Sequence, residues 1–118
     1  MIKMMMALSA KPGLTLDDFK RYYETQHLPL VARLFPQIAE HTRNYVTADQ
    51  FGGPLGFDVL VEVTFADEAS ASALNAQMEK PEVRDAIAKD EENFLDRSRI
   101  RIFPVDQTRT PLGASAST

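Results

Sequence analysis

Apolar and polar positions alternate with two different periods along this chain, and the switches between them divide it into elements. Residues 2–9 are a short apolar run closed by Ala10-Lys11-Pro12-Gly13, the pattern of a strand followed by a turn. Thr15 precedes Leu16-Asp17-Asp18-Phe19, a hydroxyl N-cap with acids in the first turn of a helix. Leu16, Phe19, Tyr23, His27, Leu30 and Leu34 then recur at spacings of three or four and form one apolar stripe. Pro29 lies within it. Its missing N–H and its ring, which disfavours a helical Leu28, predict a kink or break near residues 26–29.

Residues 39–49 contain a second strand candidate at His41–Thr47, and Gly52-Gly53-Pro54-Leu55-Gly56 is a loop. From Phe57 to Phe65 the odd positions are all Phe or Val, and the even ones are mixed and include Asp58 and Glu62. This strand has one buried face and one that is partly polar. Asp67 caps the next helix, and Pro81 opens a further one with Val83, Ile87 and Phe94 on its apolar side. Lys89-Asp90-Glu91-Glu92 is expected on the solvated side. Asp96 to Val105 forms the last strand, with Arg97, Arg99 and Arg101 alternating with Ser98, Ile100 and Ile102.

The order β-α-β-β-α-β, with its second helical region split, predicts an α+β ferredoxin-like fold. This is a four-stranded antiparallel sheet carrying its helices on one face. The domain is expected over residues 1–106. Residues 107–118, rich in Thr, Ser, Ala and Pro, are expected to be a disordered tail. The bare sheet face would present Lys3, Met5, Asp58, Leu60, Glu62, Arg97, Arg99, Arg101, Phe103 and Val105. Apolar Leu60 and Phe103, with acids on one strand and arginines on another, predict a homodimer packed sheet to sheet through Asp58, Leu60, Glu62, Arg99, Arg101 and Phe103, the alternative being a monomer with a wet, charged sheet face.

Composition narrows the function classes. At 118 residues the chain makes one domain, with 44% apolar and 25% charged residues. A formal net charge of −4 argues against nucleic-acid binding. No apolar run approaches the roughly 20 residues of a membrane helix. The absence of cysteine removes disulfides, thiolate nucleophiles and zinc–thiolate sites, and suits a reducing cytoplasm. No phosphate loop, dinucleotide fingerprint or zinc spacing occurs, and no metal site is expected.

Of the two histidines, His27 lies on the apolar stripe beside Phe19, Tyr23 and Leu30. Partial burial there would hold its ring neutral near pH 7, as a general base requires, while a packed histidine bonded to a freed carbonyl is the plainer alternative. His41 flanks a strand without an evident partner and reads as structural or exposed. Either imidazole could ligate haem; otherwise no cofactor is indicated. Tyr45 is a candidate proton donor, or simply a strand residue.

Three stretches carry a family likeness. They are Lys11-Pro12-Gly13-Leu14-Thr15 with Asp18-Phe19, Tyr22-Tyr23 and His27-Leu28-Pro29-Leu30; Phe65-Ala66-Asp67-Glu68-Ala69; and Asp90-Glu91-Glu92-Asn93-Phe94-Leu95-Asp96-Arg97-Ser98-Arg99. Together, over about residues 1–106, they resemble the EthD family of the dimeric α+β barrel superfamily. That superfamily includes cofactor-independent monooxygenases, muconolactone-type isomerases, polyketide cyclases and haem enzymes. Some EthD members are dehydratases or decarboxylases. The resemblance places the family's His-x-Pro motif on His27 and Pro29 and implies a functional His27. Related isomerases pair such a histidine with a tyrosine of the second strand, a place Tyr45 would fill. They also use a cysteine, which this chain lacks.

The expectation is a cofactor-independent enzyme acting on a small aromatic, lactone or polyketide-like compound. His27 and Tyr45 would be catalytic, and Phe19, Tyr23 and Leu30 would line the substrate site. A non-catalytic binding protein with the same pocket and a haem-dependent oxidoreductase are the alternatives.

Overall fold

The computed structural model describes residues 1–47 and 55–114. Four strands, β1 (Ile2–Leu8), β2 (Glu40–Tyr45), β3 (Val59–Phe65) and β4 (Arg101–Val105), form one antiparallel sheet in the order β2-β3-β1-β4. The helices are α1 (Leu16–Tyr22), α2 (Leu28–Leu34), α3 (Glu68–Met78) and α4 (Pro81–Glu91). This is the expected ferredoxin-like order with its helices on one face. Residues 106–114 have no regular secondary structure.

The sheet register follows the alternation of the sequence. Ile2, Met4, Met6 and Leu8 of β1 and Val59, Val61, Val63 and Phe65 of β3 pack beneath the helices with Phe19, Tyr23, Phe94 and Leu95. A second cluster, Val31, Phe35, Val83 and Ile87, joins α2 to α4. The caps lie where expected. Thr15 Oγ1 accepts the Asp18 N–H at 3.1 Å, Asp67 Oδ1 accepts that of Ser70 at 2.8 Å, and Pro81 begins α4.

Four local readings are corrected. Pro29 does not break the helix. Residues 23–27 form a π-turn between α1 and α2, and the chain stays helical, with Leu28 at φ −58°, ψ −46°. The Leu28 N–H bonds the carbonyl of Tyr23 five residues back, and this wider turn accommodates the proline that follows. Leu16 leaves the apolar stripe, being 55% exposed.

The last strand is shorter than its alternation suggested. Residues 97–99 form a 3₁₀ turn capped by Asp96, whose Oδ1 accepts the Ser98 N–H at 3.2 Å. Arg99 is therefore not a β4 residue, and its guanidinium donates to the carbonyl of Gly56 at 2.8 Å. Asp90 and Glu91, expected in solvent, are only partly accessible. Most of the Gly52–Gly56 loop lies outside the described residues.

On the face away from the helices, Leu60, Ala7 and Arg101 align across three strands, and Glu62, Met5 and Phe103 form the next row. Lys3 Nζ meets Glu62 at 2.9 Å there, and Phe103 is 41% exposed.

Candidate active site

The buried stripe of the first helical region, Phe19, Tyr23, His27, Val31 and Phe35, steps by four residues. A regular α-helix would rotate such a stripe by about 40° per step. The π-turn inserts extra chain within one turn and keeps Tyr23 and His27 on the same inward line. His27 then meets α4: its Nδ1 lies 2.6 Å from Asp90 Oδ2. The other oxygen of Asp90 accepts the Tyr22 hydroxyl at 2.7 Å, and that hydroxyl accepts from Asn93 Nδ2 at 2.9 Å.

Asp90 is thus fixed from two sides, and its carboxylate selects the tautomer in which Nδ1 carries the proton. Burial pushes the His27 pKa below its ordinary value, against the opposing pull of Asp90. The ring is neutral at pH 7, with Nε2 as its basic nitrogen. The rings of Tyr23 and Phe94 each sit 4.9 Å from it, centroid to centroid, and limit its rotation.

His27 lines a cavity of about 370 Å³ between the sheet and the helices. Its walls are mostly apolar, among them Met4, Met6, Val63, Leu74, Met78 and Ile102. The methionines, unusual in strands, give an adaptable lining for an apolar ligand. The polar lining residues are His27, His41, Asn75 and Glu91. Burial raises the Glu91 carboxyl above its ordinary range. Arg97, whose Nε lies 3.5 Å from Oε1, opposes this, and neighbouring Asp90 adds to it.

His41 is neither isolated nor exposed. Alternation along β2 places it on the helix side opposite Val63, where its Nε2 lies 2.8 Å from the Tyr23 hydroxyl. Burial, reinforced by Arg43, depresses its pKa to about 4. Its Nδ1 is buried without a hydrogen-bond partner among the described residues.

The other candidates are dispersed. Tyr45 shares the inner face of β2, but its hydroxyl donates to Glu24 Oε2 at 2.5 Å. Glu24 also takes two hydrogen bonds from Arg43, at 2.9 and 2.6 Å, which hold its carboxyl down at about 2. This cluster ties the π-turn to β2 and contributes no cavity wall. Phe19 and Tyr23 are core residues, and Leu30 packs against the α2–α4 cluster. Asp58 precedes β3, and its Oδ2 accepts the Ala10 N–H at 2.8 Å. Leu60, Glu62, Arg101 and Phe103 do lie on the outer sheet face.

The EthD domain family model matches residues 11–98, three quarters of the chain, including His27, His41, Asp90 and Glu91. The chain belongs to the EthD family. Its fold is similar to that of an EthD family protein from Bacillus halodurans, at 21% identity and TM-score 0.64, covering 92% of this chain and 100% of the other. An EthD-like protein from Ralstonia eutropha gives 24% identity and TM-score 0.57, with 88% and 85% covered. A dimeric ferredoxin-like protein of unknown function from Thermobifida fusca gives 14% identity and TM-score 0.54, with 90% of each chain covered. A comparison with curated proteins gives no significant match.

In this EthD domain, sequence reasoning set Asp90 and Glu91 in solvent and read His41 as structural or exposed, whereas the fold brings Asp90 to His27 and places Glu91 and His41 on the cavity wall. For the acids a signal was present. Val83, Ile87 and Glu91 step by four along α4, so Glu91 lies on the buried line rather than opposite it. Among the described residues, no three His, Asp or Glu side chains gather to hold a metal ion. No described helix is long and apolar enough to cross a membrane.

Proposed function

We propose that this EthD protein moves a proton at a carbon beside a carbonyl group in a small, mostly apolar compound held between sheet and helices. The observation that carries this is His27, fixed at 2.6 Å by Asp90 on the wall of a 370 Å³ apolar cavity. A neutral imidazole whose Nδ1–H is held by a carboxylate is a general base at Nε2. Nε2 takes the α-proton, the C–H electron pair passes to the carbonyl oxygen, and the imidazolium beside Asp90 returns the proton. No redox partner is consumed. The apolar walls exclude water and favour an aromatic or lactone substrate over a charged one.

The working form is a homodimer joined through the outer sheet face. Exposed Phe103 beside Met5, and Leu60 beside Ala7, support it, as does the dimeric fold relative from Thermobifida fusca.

The test is deuterium wash-in at the α-carbon of a panel of aryl ketones and lactones in D₂O, followed by proton NMR. His27→Gln should reduce exchange by 10²-fold or more, at the scale of a lost general base (~10²–10⁴). Ligand-induced shifts without exchange anywhere in the panel would select a binding protein instead. A Soret band on mixing with haemin, lost in His27→Gln, would assign the same nitrogen to haem ligation.

A further inference from the structure

Removing a proton beside a carbonyl leaves negative charge on the carbonyl oxygen, and that oxygen needs a donor inside the cavity. The hydroxyls of Tyr45 and Tyr23 are engaged elsewhere: Tyr45 donates to Glu24, and Tyr23 is joined to His41 Nε2. His41 Nδ1 lacks a partner but is closed off from solvent-sized contact. Glu91 remains. It follows Asp90 directly, so the residue that orients the base and the residue facing the ligand are neighbours on α4. Ile87 and Glu91 line the cavity together, one turn apart. The one ionic partner of Glu91 among the described residues is Arg97, at 3.5 Å, with a half-exposed side chain.

We propose that Glu91, in its protonated form, donates a hydrogen bond to the carbonyl oxygen of the compound that His27 deprotonates. The proposal rests on the reading of His27 given above and adds the second catalytic residue of the same cavity. A carboxylic acid kept neutral by an apolar site is a strong donor to a developing enolate. The low-dielectric walls here work in that direction. Asp90 on its own helix and Arg97 on the following turn act on its titration, Tyr23 on the facing π-turn is coupled to it, and His27 and His41 are the other titratable groups lining the cavity. Only Arg97 among them favours the ionised form of Glu91 directly.

Because only the acid form donates, ligand binding and protonation of Glu91 are linked. The affinity of a simple ketone such as acetophenone should fall as pH rises through the Glu91 titration. Binding is followed by NMR shift titration from pH 4 to pH 9 in wild type, Glu91→Gln, Glu91→Leu and His27→Gln. Glu91→Gln keeps a donor that does not titrate, so its affinity should be flat with pH. Glu91→Leu should bind about tenfold more weakly at low pH. The pH dependence should survive in His27→Gln, which separates it from imidazole titration. In α-exchange, Glu91→Leu should lose 10²–10³-fold while Glu91→Gln keeps most of the rate. A pH-independent wild-type affinity, or a Glu91→Leu variant that binds and exchanges as wild type does, overturns the role of Glu91 and leaves His27 standing. Acetophenone binding to none of the four proteins at any pH, with no exchange in the panel, overturns both.

Discussion

At the residue scale, burial rather than charge pairing governs the two imidazoles. His27 has a carboxylate at 2.6 Å, yet its pKa still falls below the ordinary value because loss of water outweighs Asp90. His41, which has a phenol in place of a carboxylate, is depressed further, to about 4. The consequence for stability has a definite sign. An unfolded histidine titrates near 6.5, so below that pH the unfolded state binds protons that folded His41 refuses. Stability from this residue is complete above about pH 6.5 and is lost as pH falls to about 4. His27 acts in the same direction, while Glu91, whose pKa is raised, acts in the opposite one. Thermal unfolding should therefore show a falling Tm from pH 7 to pH 4.5, and His41→Gln should flatten part of that slope. An unchanged slope would mean that His41 is protonated in the folded protein. None of this was legible in the sequence around His41. Its depressed pKa depends first on burial beneath the helices that pack over β2, which no local pattern shows, and only then on Arg43 two residues along the strand.

At the scale of elements, the order of strands and helices was legible because each period was clean: two along β3, and three to four along the first helical region and α4. The errors lie where a local pattern imitates another. Arg97, Arg99 and Arg101 alternate as a strand would, but the carboxylate of Asp96 draws residues 97–99 into a turn. The stripe through Phe19, Tyr23 and His27 reads as an α-helix, and only its unbroken step of four hinted at a wider turn. The π-turn leads to a prediction about Pro29. In a regular helix interior, removing such a proline would gain about 3 kcal/mol. Here the turn has already accommodated it, and Pro29 stands near the start of α2. Pro29→Ala should therefore change stability by less than about 1 kcal/mol in denaturant unfolding. A gain near 3 kcal/mol would show a strained proline instead.

At the scale of the molecule, the two faces of the sheet separate two tasks. The inner face carries the core and the cavity. The outer face pairs Lys3 with Glu62, and Asn44 donates to the same carboxylate at 3.0 Å, so its charges are largely matched within one chain. What is left for a partner is apolar apart from Arg101, whose guanidinium, among the described residues, bonds only the Ser98 and Ile100 carbonyls. Phe103 is 41% exposed on the edge strand β4, beside Met5 and one row from Leu60. A two-fold contact through this face would cover these residues and leave the cavity on the far side of the sheet intact. Electrostatics would then contribute little beyond Arg101, because Arg99 is bound to Gly56 and Asp58 to the Ala10 amide. The dimer should resist salt, and Phe103 should be its anchor. Sedimentation at micromolar concentration should show a dimer that persists at 0.5 M salt. Phe103→Asp, which would bury a charge within the contact, should cost about 2 kcal/mol of association or more. The variant should sediment as a monomer with an unchanged circular-dichroism spectrum. Its ketone binding should also persist, because the cavity lies on the helix side of the sheet, away from this contact. A wild-type monomer at micromolar concentration would remove the dimer. A monomeric Phe103→Asp that no longer binds ketones would show that the partner completes the cavity.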